Sequence, residues 1–189
     1  MRIVIPEGAQ FVQKPEHLDP LRRLGELVVS PGHPRDKADF IERVKDADVV
    51  VLDYTLMDEE VLAKCPRLKF VAFLGIGYAS CIDIEAATRR GIVVANVPDF
   101  CLNEQAEHTM ALLLSFARRL PRMMAAVHEH DWSARSDPGV RRVAGRTLGL
   151  VGFGAGAKAV AERARGFGLK LLAWARTPDR HREDAKRLG

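Results

Sequence analysis

Apolar positions in the first half of the chain fall into short blocks with helical spacing between them. Arg2–Pro6, Glu26–Val29, Asp48–Leu52, Leu68–Leu74 and Gly91–Val97 are runs of Val, Ile, Leu and Phe that predict strands. Between them, Leu18–Leu24 predicts a short helix that Pro20 can start without interrupting. Asp36–Asp46 predicts a second, with Phe40, Ile41 and Val44 on one face. Asp58 caps a third that runs to Lys64 and is stopped by Pro66, and Ile84–Arg90 is a fourth. Strands that are apolar on both faces and alternate with helices predict a parallel, doubly wound α/β sheet.

The second half opens on the longest helical pattern, Asn103–Leu120. A polar or small stripe (Glu104, Glu107, His108, Ala111, Ser115, Arg118, Arg119) runs beside apolar faces that include Ala106, Met110, Leu113 and Leu114. This pattern predicts a hinge helix, residues 103–120, wedged between two bodies. Pro121 follows, and the polar stretch His128–Val140 predicts an arm within residues 121–145. Trp132 either anchors that arm to a partner subunit or packs on its own chain. The expected division is therefore 1–98 for one domain and 99–189 for another.

Arg146–Thr177 carries the clearest local signal. An apolar strand, Thr147–Val151, runs into Gly152-Phe-Gly154-Ala-Gly156-Ala157, then an alanine-rich helix from Lys158 to Phe167 and a strand from Leu169 to Trp174. Strand, glycine turn, helix and strand within about 30 residues is the pattern of a dinucleotide-binding βαβ unit. Gly152 permits the tight exit from the strand, and Gly154 lets backbone N–H groups approach a pyrophosphate. The helix start then offers unpaired N–H groups and a positive dipole end. Phe153 and Ala155 lie in the same turn, and Ala157 takes the third position of the pattern, where a small residue packs helix on strand.

About 20 residues beyond the turn, such a unit carries an acid for the ribose 2′-hydroxyl. Here Ala175 stands there, followed by Arg176 and Thr177. A guanidinium with a neighbouring hydroxyl can grip a 2′-phosphate, which places NADP ahead of NAD. Arg176 as a solvated strand-end charge, with Asp179 reaching the ribose, is the other reading.

The chain has 189 residues, 47% hydrophobic and 29% charged, enough to build a core. Met1–Pro6 is too short for a secretory signal and Met110–Leu114 too short to cross a bilayer. Cys65, Cys81 and Cys101 lack metal-ligand or CxxC spacing and predict reduced thiols in a cytoplasmic protein, with no metal site. Residues 1–98 carry a net charge of −2 and residues 99–189 one of +6. The basic half suits an anionic cofactor; its arginines are scattered and lack an aromatic platform, so no nucleic-acid partner is expected. Gly75-Ile-Gly77-Tyr78, after the fourth strand, is either an ordinary glycine turn or a nest of N–H groups for a carboxylate.

Taken in order, Gly75-Ile-Gly77, Ile82-Asp83, Arg90–Pro98, Ala106-Glu-His108-Thr, Leu112-Leu-Leu, Trp132, Thr147-Leu-Gly149 and Gly152-Phe-Gly154 resemble the D-isomer-specific 2-hydroxyacid dehydrogenase family. The resemblance runs from about Pro66 to Trp174. It implies two Rossmann-like domains, the first flavodoxin-like and substrate-holding, with Leu74, Gly75, Ile76 and Gly77 at the substrate carboxylate. It also implies homodimers through the cofactor domain and hydride transfer between NAD(P) and a small 2-hydroxy or 2-keto acid such as glyoxylate or hydroxypyruvate.

Three departures from the family pattern stand out. The loop Gly77–Asp83 is one residue longer than the commoner version, and Ala175-Arg176 replaces the usual acid. The family's catalytic Arg, Glu and His come from segments after the second cofactor-domain strand, and are expected beyond Gly189. Glu107 and His108 cannot orient each other, being adjacent on one helix and about 100° apart. No catalytic residue is therefore assigned within the chain, and the second domain is expected to be truncated and the chain alone inactive. The family also resembles carboxy-terminal-binding corepressors, so the alternative is a non-catalytic dinucleotide-binding or interaction module.

Overall fold

The structure, a computed structural model, describes residues 1–10 and 12–188. It divides into two compact units, Met1–Phe100 and Cys101–Gly189, described separately below.

The first unit is a five-stranded, wholly parallel sheet. Strands β1 (Arg2–Ile5), β2 (Glu26–Val29), β3 (Val49–Leu52), β4 (Phe70–Phe73) and β5 (Val93–Ala95) lie in the order β2-β1-β3-β4-β5. The period of two sorts their side chains. Val4, Val50, Leu52, Val71 and Phe73 enter the larger core, with Phe40 and Val44 of α2 (Lys37–Val44), Val61 and Leu62 of α3 (Glu59–Ala63) and Ala86 and Ala87 of α4 (Ile84–Arg89). Ile3, Ile5 and Val51 point the other way, toward Leu18 and Leu21, the latter on α1 (Asp19–Leu24). Helices thus cover both faces, as a doubly wound sheet requires.

Three helices start in the same way. The carboxylates of Asp36, Asp58 and Asp83 accept hydrogen bonds from the N–H groups of Asp39 (2.8 Å), Val61 (3.1 Å) and Ala86 (2.9 Å). Each satisfies one orphan donor of a first turn.

The second unit contains α5 (Leu102–Ala117), α6 (Leu120–His128), β6 (Thr147–Val151), α7 (Ala155–Gly166), β7 (Lys170–Trp174) and α8 (Arg182–Leu188). Strands β6 and β7 pair in parallel, from Thr147 opposite Lys170 to Val151 opposite Trp174. Ala106 and Met110 of α5 pack on Val160 and Ala164 of α7, with Leu169 behind them. Most of α7 before Glu162 is Ala or Gly, which leaves room for that close approach.

The region predicted as one helix followed by an arm differs. The first helix ends at Ala117, Arg119 takes a left-handed conformation (φ 54°), and a new helix runs from Leu120 to His128. Pro121 sits in its first turn, where a missing N–H costs nothing, so the proline starts a helix where the pattern predicts irregular chain. After it come a short 3-10 turn, Trp132–Ser136, and irregular chain with two further turns, at residues 138–139 and 144–145, before β6. Within α5 the apolar positions sort as the pattern predicts, with Ala106 and Met110 buried and Leu113 and Leu114 half-buried, while Leu112 and Phe116 are exposed. The helix predicted to close on Gly189 is α8, and Gly189 itself lies outside the described residues.

Candidate functional site

In the second unit the turn between β6 and α7 is open. Gly152 has φ +94°, a conformation that favours glycine, and its N–H donates to the Trp174 carbonyl at 2.8 Å. A Cβ added to Gly152 or Gly154 would meet nothing within 4 Å. Gly154 is the N-cap of α7 and has no side chain to cap it. The first helical bond is Lys158 N–H to the Gly154 carbonyl, so the N–H groups of Ala155, Gly156 and Ala157 have no partner within the helix.

The other residues singled out in this turn have different positions. Phe153 is 5% exposed, its ring packed with Ala161 and Leu188 and edge-on to His181, so only its backbone can face an anion. Gly156 faces α5: a Cβ there would lie 2.7 Å from the oxygen at the tip of the Gln105 side chain, which would have to swing aside. Its N–H still belongs to the open first turn.

Because β7 is parallel to β6, the residues after Trp174 emerge beside the glycine turn. Arg176 and Thr177 are exposed there, and among the described residues the Arg176 guanidinium has no ion-pair partner. The neighbouring charges are engaged. Asp179 pairs with Arg182 at 2.7 Å, and Lys158 pairs with Asp184, whose pKa that hydrogen bond holds below the usual carboxylate range. Arg163 of α7 donates to Asn103 and Glu107 of α5, both at 3.1 Å.

In the first unit the loop after β4 leaves the carboxyl edge of the sheet. The Leu74 N–H donates to the Leu52 carbonyl (2.8 Å), and Val97 N–H and the Asn96 amide hold the Gly75 and Ile76 carbonyls (3.0 and 3.1 Å). Among the described residues the N–H groups of Gly75, Ile76 and Gly77 have no such partner. Carbonyls are tied back while these three donors are left without a backbone partner.

Sequence reasoning missed the group beside it. Glu7, just past β1, is 1% exposed. Its carboxylate accepts from the N–H groups of Asp53 (2.5 Å), Tyr54 (3.1 Å) and Thr55 (2.6 Å) and from the Thr55 hydroxyl (2.5 Å). The loop after β3 is thereby fastened to β1. Arg43 of α2 does the same for the loop after β2, donating to the carbonyls of Pro6 (2.7 Å) and Gly32 (2.5 Å). These two loops bring the Tyr54 hydroxyl 2.8 Å from His33 Nδ1, and the Gln10 amide lies 3.1 Å from His33 Nε2. Partial desolvation and the Glu7 carboxylate push the Asp53 pKa up; desolvation, Glu7 and Asp53 together push Tyr54 up. An acid immediately after the first strand was the only visible signal, since its partners lie more than 45 residues away.

Among the described residues no histidine is hydrogen-bonded to a carboxylate, and no group of three His, Cys, Asp or Glu side chains could hold a metal ion. No helix among them is long and apolar enough to cross a membrane.

Comparison with known proteins places this geometry in context. The model of the D-isomer specific 2-hydroxyacid dehydrogenase catalytic domain matches residues 4–182. The glyoxylate reductase of Pyrococcus furiosus is 39% identical over 163 residues, covering 82% of this chain and 47% of that protein. The D-3-phosphoglycerate dehydrogenase of Methanocaldococcus jannaschii is 35% identical over 168 residues, covering 87% and 31%. The chain thus spans about half, or less, of these relatives' length. The structure of D-lactate dehydrogenase from Aquifex aeolicus, complexed with NAD and lactic acid, superposes with a TM-score of 0.83 at 27% identity. It covers all of this chain and 54% of that one.

Proposed function

This chain belongs to the D-isomer-specific 2-hydroxyacid dehydrogenase family, and on that premise we propose that its second unit, Cys101–Gly189, binds a nicotinamide dinucleotide. The first, Met1–Phe100, would hold the carboxylate of a small 2-keto or 2-hydroxy acid. The observation that carries this reading is the β6–α7 turn. Open space at Gly152 and Gly154, the unpaired N–H groups of Ala155 and Gly156 and the backbone of Phe153 form a cradle that fits a pyrophosphate. The carboxylate is assigned to the N–H groups of Gly75, Ile76 and Gly77, with Leu74 fixing the start of the loop.

The bound nicotinamide supplies or accepts the hydride; the chain's own residues bind and orient. NADP is preferred over NAD in this reading. Ala175 offers no carboxylate, Asp179 is committed to Arg182, and Arg176 with Thr177 is free beside the turn. The relatives named glyoxylate reductase support a small substrate of the glyoxylate or hydroxypyruvate kind, reduced at NADPH's expense. No described histidine has a carboxylate partner to orient it for proton transfer, so the 189-residue chain is expected to bind without turning over.

Exposed Leu112 and Phe116 on α5 and Leu120, Met124 and Val127 on α6 form an apolar stripe that supports a homodimer through this unit. Three unpaired thiols fit a cytoplasmic location.

The same stripe, with no acid–base pair, favours the second reading, a non-catalytic dinucleotide-binding platform. NADPH and NADH titrations followed by Trp174 fluorescence, with a glyoxylate turnover assay alongside, test both. Dinucleotide binding without turnover is the expected result. Turnover by this chain alone would overturn the inactive assignment, and absence of binding would remove the dinucleotide site. Arg176→Ala is expected to weaken NADPH by about tenfold and leave NADH unchanged; equal losses would remove phosphate recognition.

A further inference from the structure

We propose that Gln105, on α5, is a further cofactor-contacting residue, whose side-chain amide donates to the diphosphate of the dinucleotide beside the first turn of α7. The proposal rests on the reading of the β6–α7 turn as the dinucleotide cradle. It adds a contact that the glycine pattern itself does not contain.

Gly156 is the first argument. It is the second residue of α7 and its φ is not positive, so the backbone there does not require glycine. Glycine weakens a helix relative to alanine, and alanine stands on both sides of it, at 155 and 157. A Cβ at Gly156 would meet one side chain only, the Gln105 oxygen at 2.7 Å with its Cδ at 3.8 Å. At Gly152 and Gly154 a Cβ would meet nothing. What the missing methyl group at 156 secures is therefore the place of the Gln105 tip, at the start of α7.

The second argument is that the tip has no protein partner. Its polar neighbours on α5 are engaged: Arg163 donates to Asn103 and to Glu107, both at 3.1 Å. Gln105 is exposed, and among the described residues its side-chain amide makes no hydrogen bond. Neither core packing nor pairing holds it there. A half turn about the last torsion exchanges its oxygen and nitrogen, so the two N–H donors can face an acceptor without moving the rest of the side chain.

Charge then selects the acceptor. The unpaired groups of the first turn, the N–H groups of Ala155, Gly156 and Ala157, are all donors and draw an anion. A diphosphate carries non-bridging oxygens on both phosphorus atoms, and donors at a helix start face only part of them. A neutral amide beside that start can donate to an oxygen left over, which a carboxylate at the same place would repel.

Titrations followed by Trp174 fluorescence test the assignment with NADH, NADPH, ADP-ribose, which keeps the diphosphate without the nicotinamide, and AMP, which has a single phosphate ester. Gln105→Ala is expected to weaken the first three by about tenfold and to leave AMP unchanged. Gln105→Glu keeps the reach and reverses the interaction, so its loss should be the larger. Gly156→Ala turns the tip aside while favouring the helix; it should weaken the same three ligands and leave the urea midpoint of the fluorescence transition in place or higher. In the Gln105→Ala background Gly156→Ala should cost nothing more. Parent-like affinity in Gln105→Ala or in Gln105→Glu overturns the inference. So does an equal loss from Gly156→Ala in both backgrounds, since the added methyl would then meet the ligand itself. A loss for NADH and NADPH that spares ADP-ribose moves the contact to the nicotinamide end and overturns the diphosphate assignment. A parent chain that binds none of the three removes the dinucleotide reading, and the inference with it.

Discussion

Glu7 offers the sharpest test of how the carboxyl edge of the first unit is held. Its Oε2 accepts from Asp53 N–H, and its Oε1 accepts from Tyr54 N–H, Thr55 N–H and the Thr55 hydroxyl. Glu7→Gln preserves volume and one carbonyl oxygen. With that oxygen at the Oε1 position three bonds survive, and the amide NH2 then faces the Asp53 N–H, donor against donor. One buried donor is orphaned, which costs about 1–3 kcal/mol. Glu7→Ala loses all four bonds and leaves a hole in a site that is 1% exposed, for about 4–6 kcal/mol at roughly 1–1.5 per bond. A domain of this size has about 5–15 kcal/mol in all, so alanine brings the first unit to the edge of unfolding and glutamine does not.

Urea denaturation reads the difference. Far-ultraviolet circular dichroism reports both units, whereas Trp132 and Trp174, the chain's two tryptophans, report the second alone. The substitutions are expected to shift the dichroism transition in the order alanine, then glutamine, and to leave the fluorescence midpoint in place. Equal losses for the two variants, or an alanine loss below about 1 kcal/mol, would refute the idea that geometry at the Asp53 N–H sets the energetics.

Other expectations follow from the same structure. Gly152→Val forces a β-branched residue to φ +94° and fills the open cradle; it should cost about 1–2 kcal/mol in stability and weaken either dinucleotide in fluorescence titrations. Burial pushes the Cys65 thiol up to about 11 while Cys101 is exposed, so iodoacetamide at mildly alkaline pH should label Cys101 and spare Cys65, read by mass spectrometry of the peptides. The Arg2 N–H, and after it Arg67, hold Asp48 below the usual carboxylate range. Its contribution is present above the unfolded pKa of about 4 and is lost as pH falls through the lower folded value, so Asp48→Asn should flatten the acid limb of a stability-against-pH curve. Phe116, 88% exposed, and Met124 carry the apolar stripe, and replacing both with Ser should weaken self-association by about tenfold, measured by sedimentation.

What the sequence determined was local. Val-Val-Val-Leu after Asp48 reads as a buried strand, Asp36, Asp58 and Asp83 mark helix starts because their carboxylates reach N–H groups three residues on, and Gly152 marks a turn that takes positive φ directly after a strand. Each of these signals lies within a few residues of the structure it specifies. Tertiary structure decided the rest. Pro121 reads equally well as a helix stop or a helix start until Arg119 is seen to break the chain before it. Phe153 and Gly156 look alike as members of a glycine-rich turn, yet the ring of one is buried against α8 while the other faces the tip of the Gln105 side chain. Glu7 meets Thr55 from 48 residues away, and His33 meets Tyr54 from 21. Periodicity states which face of an element is covered; which distant side chain covers it depends on how the strands are ordered, and that order is a property of the folded sheet.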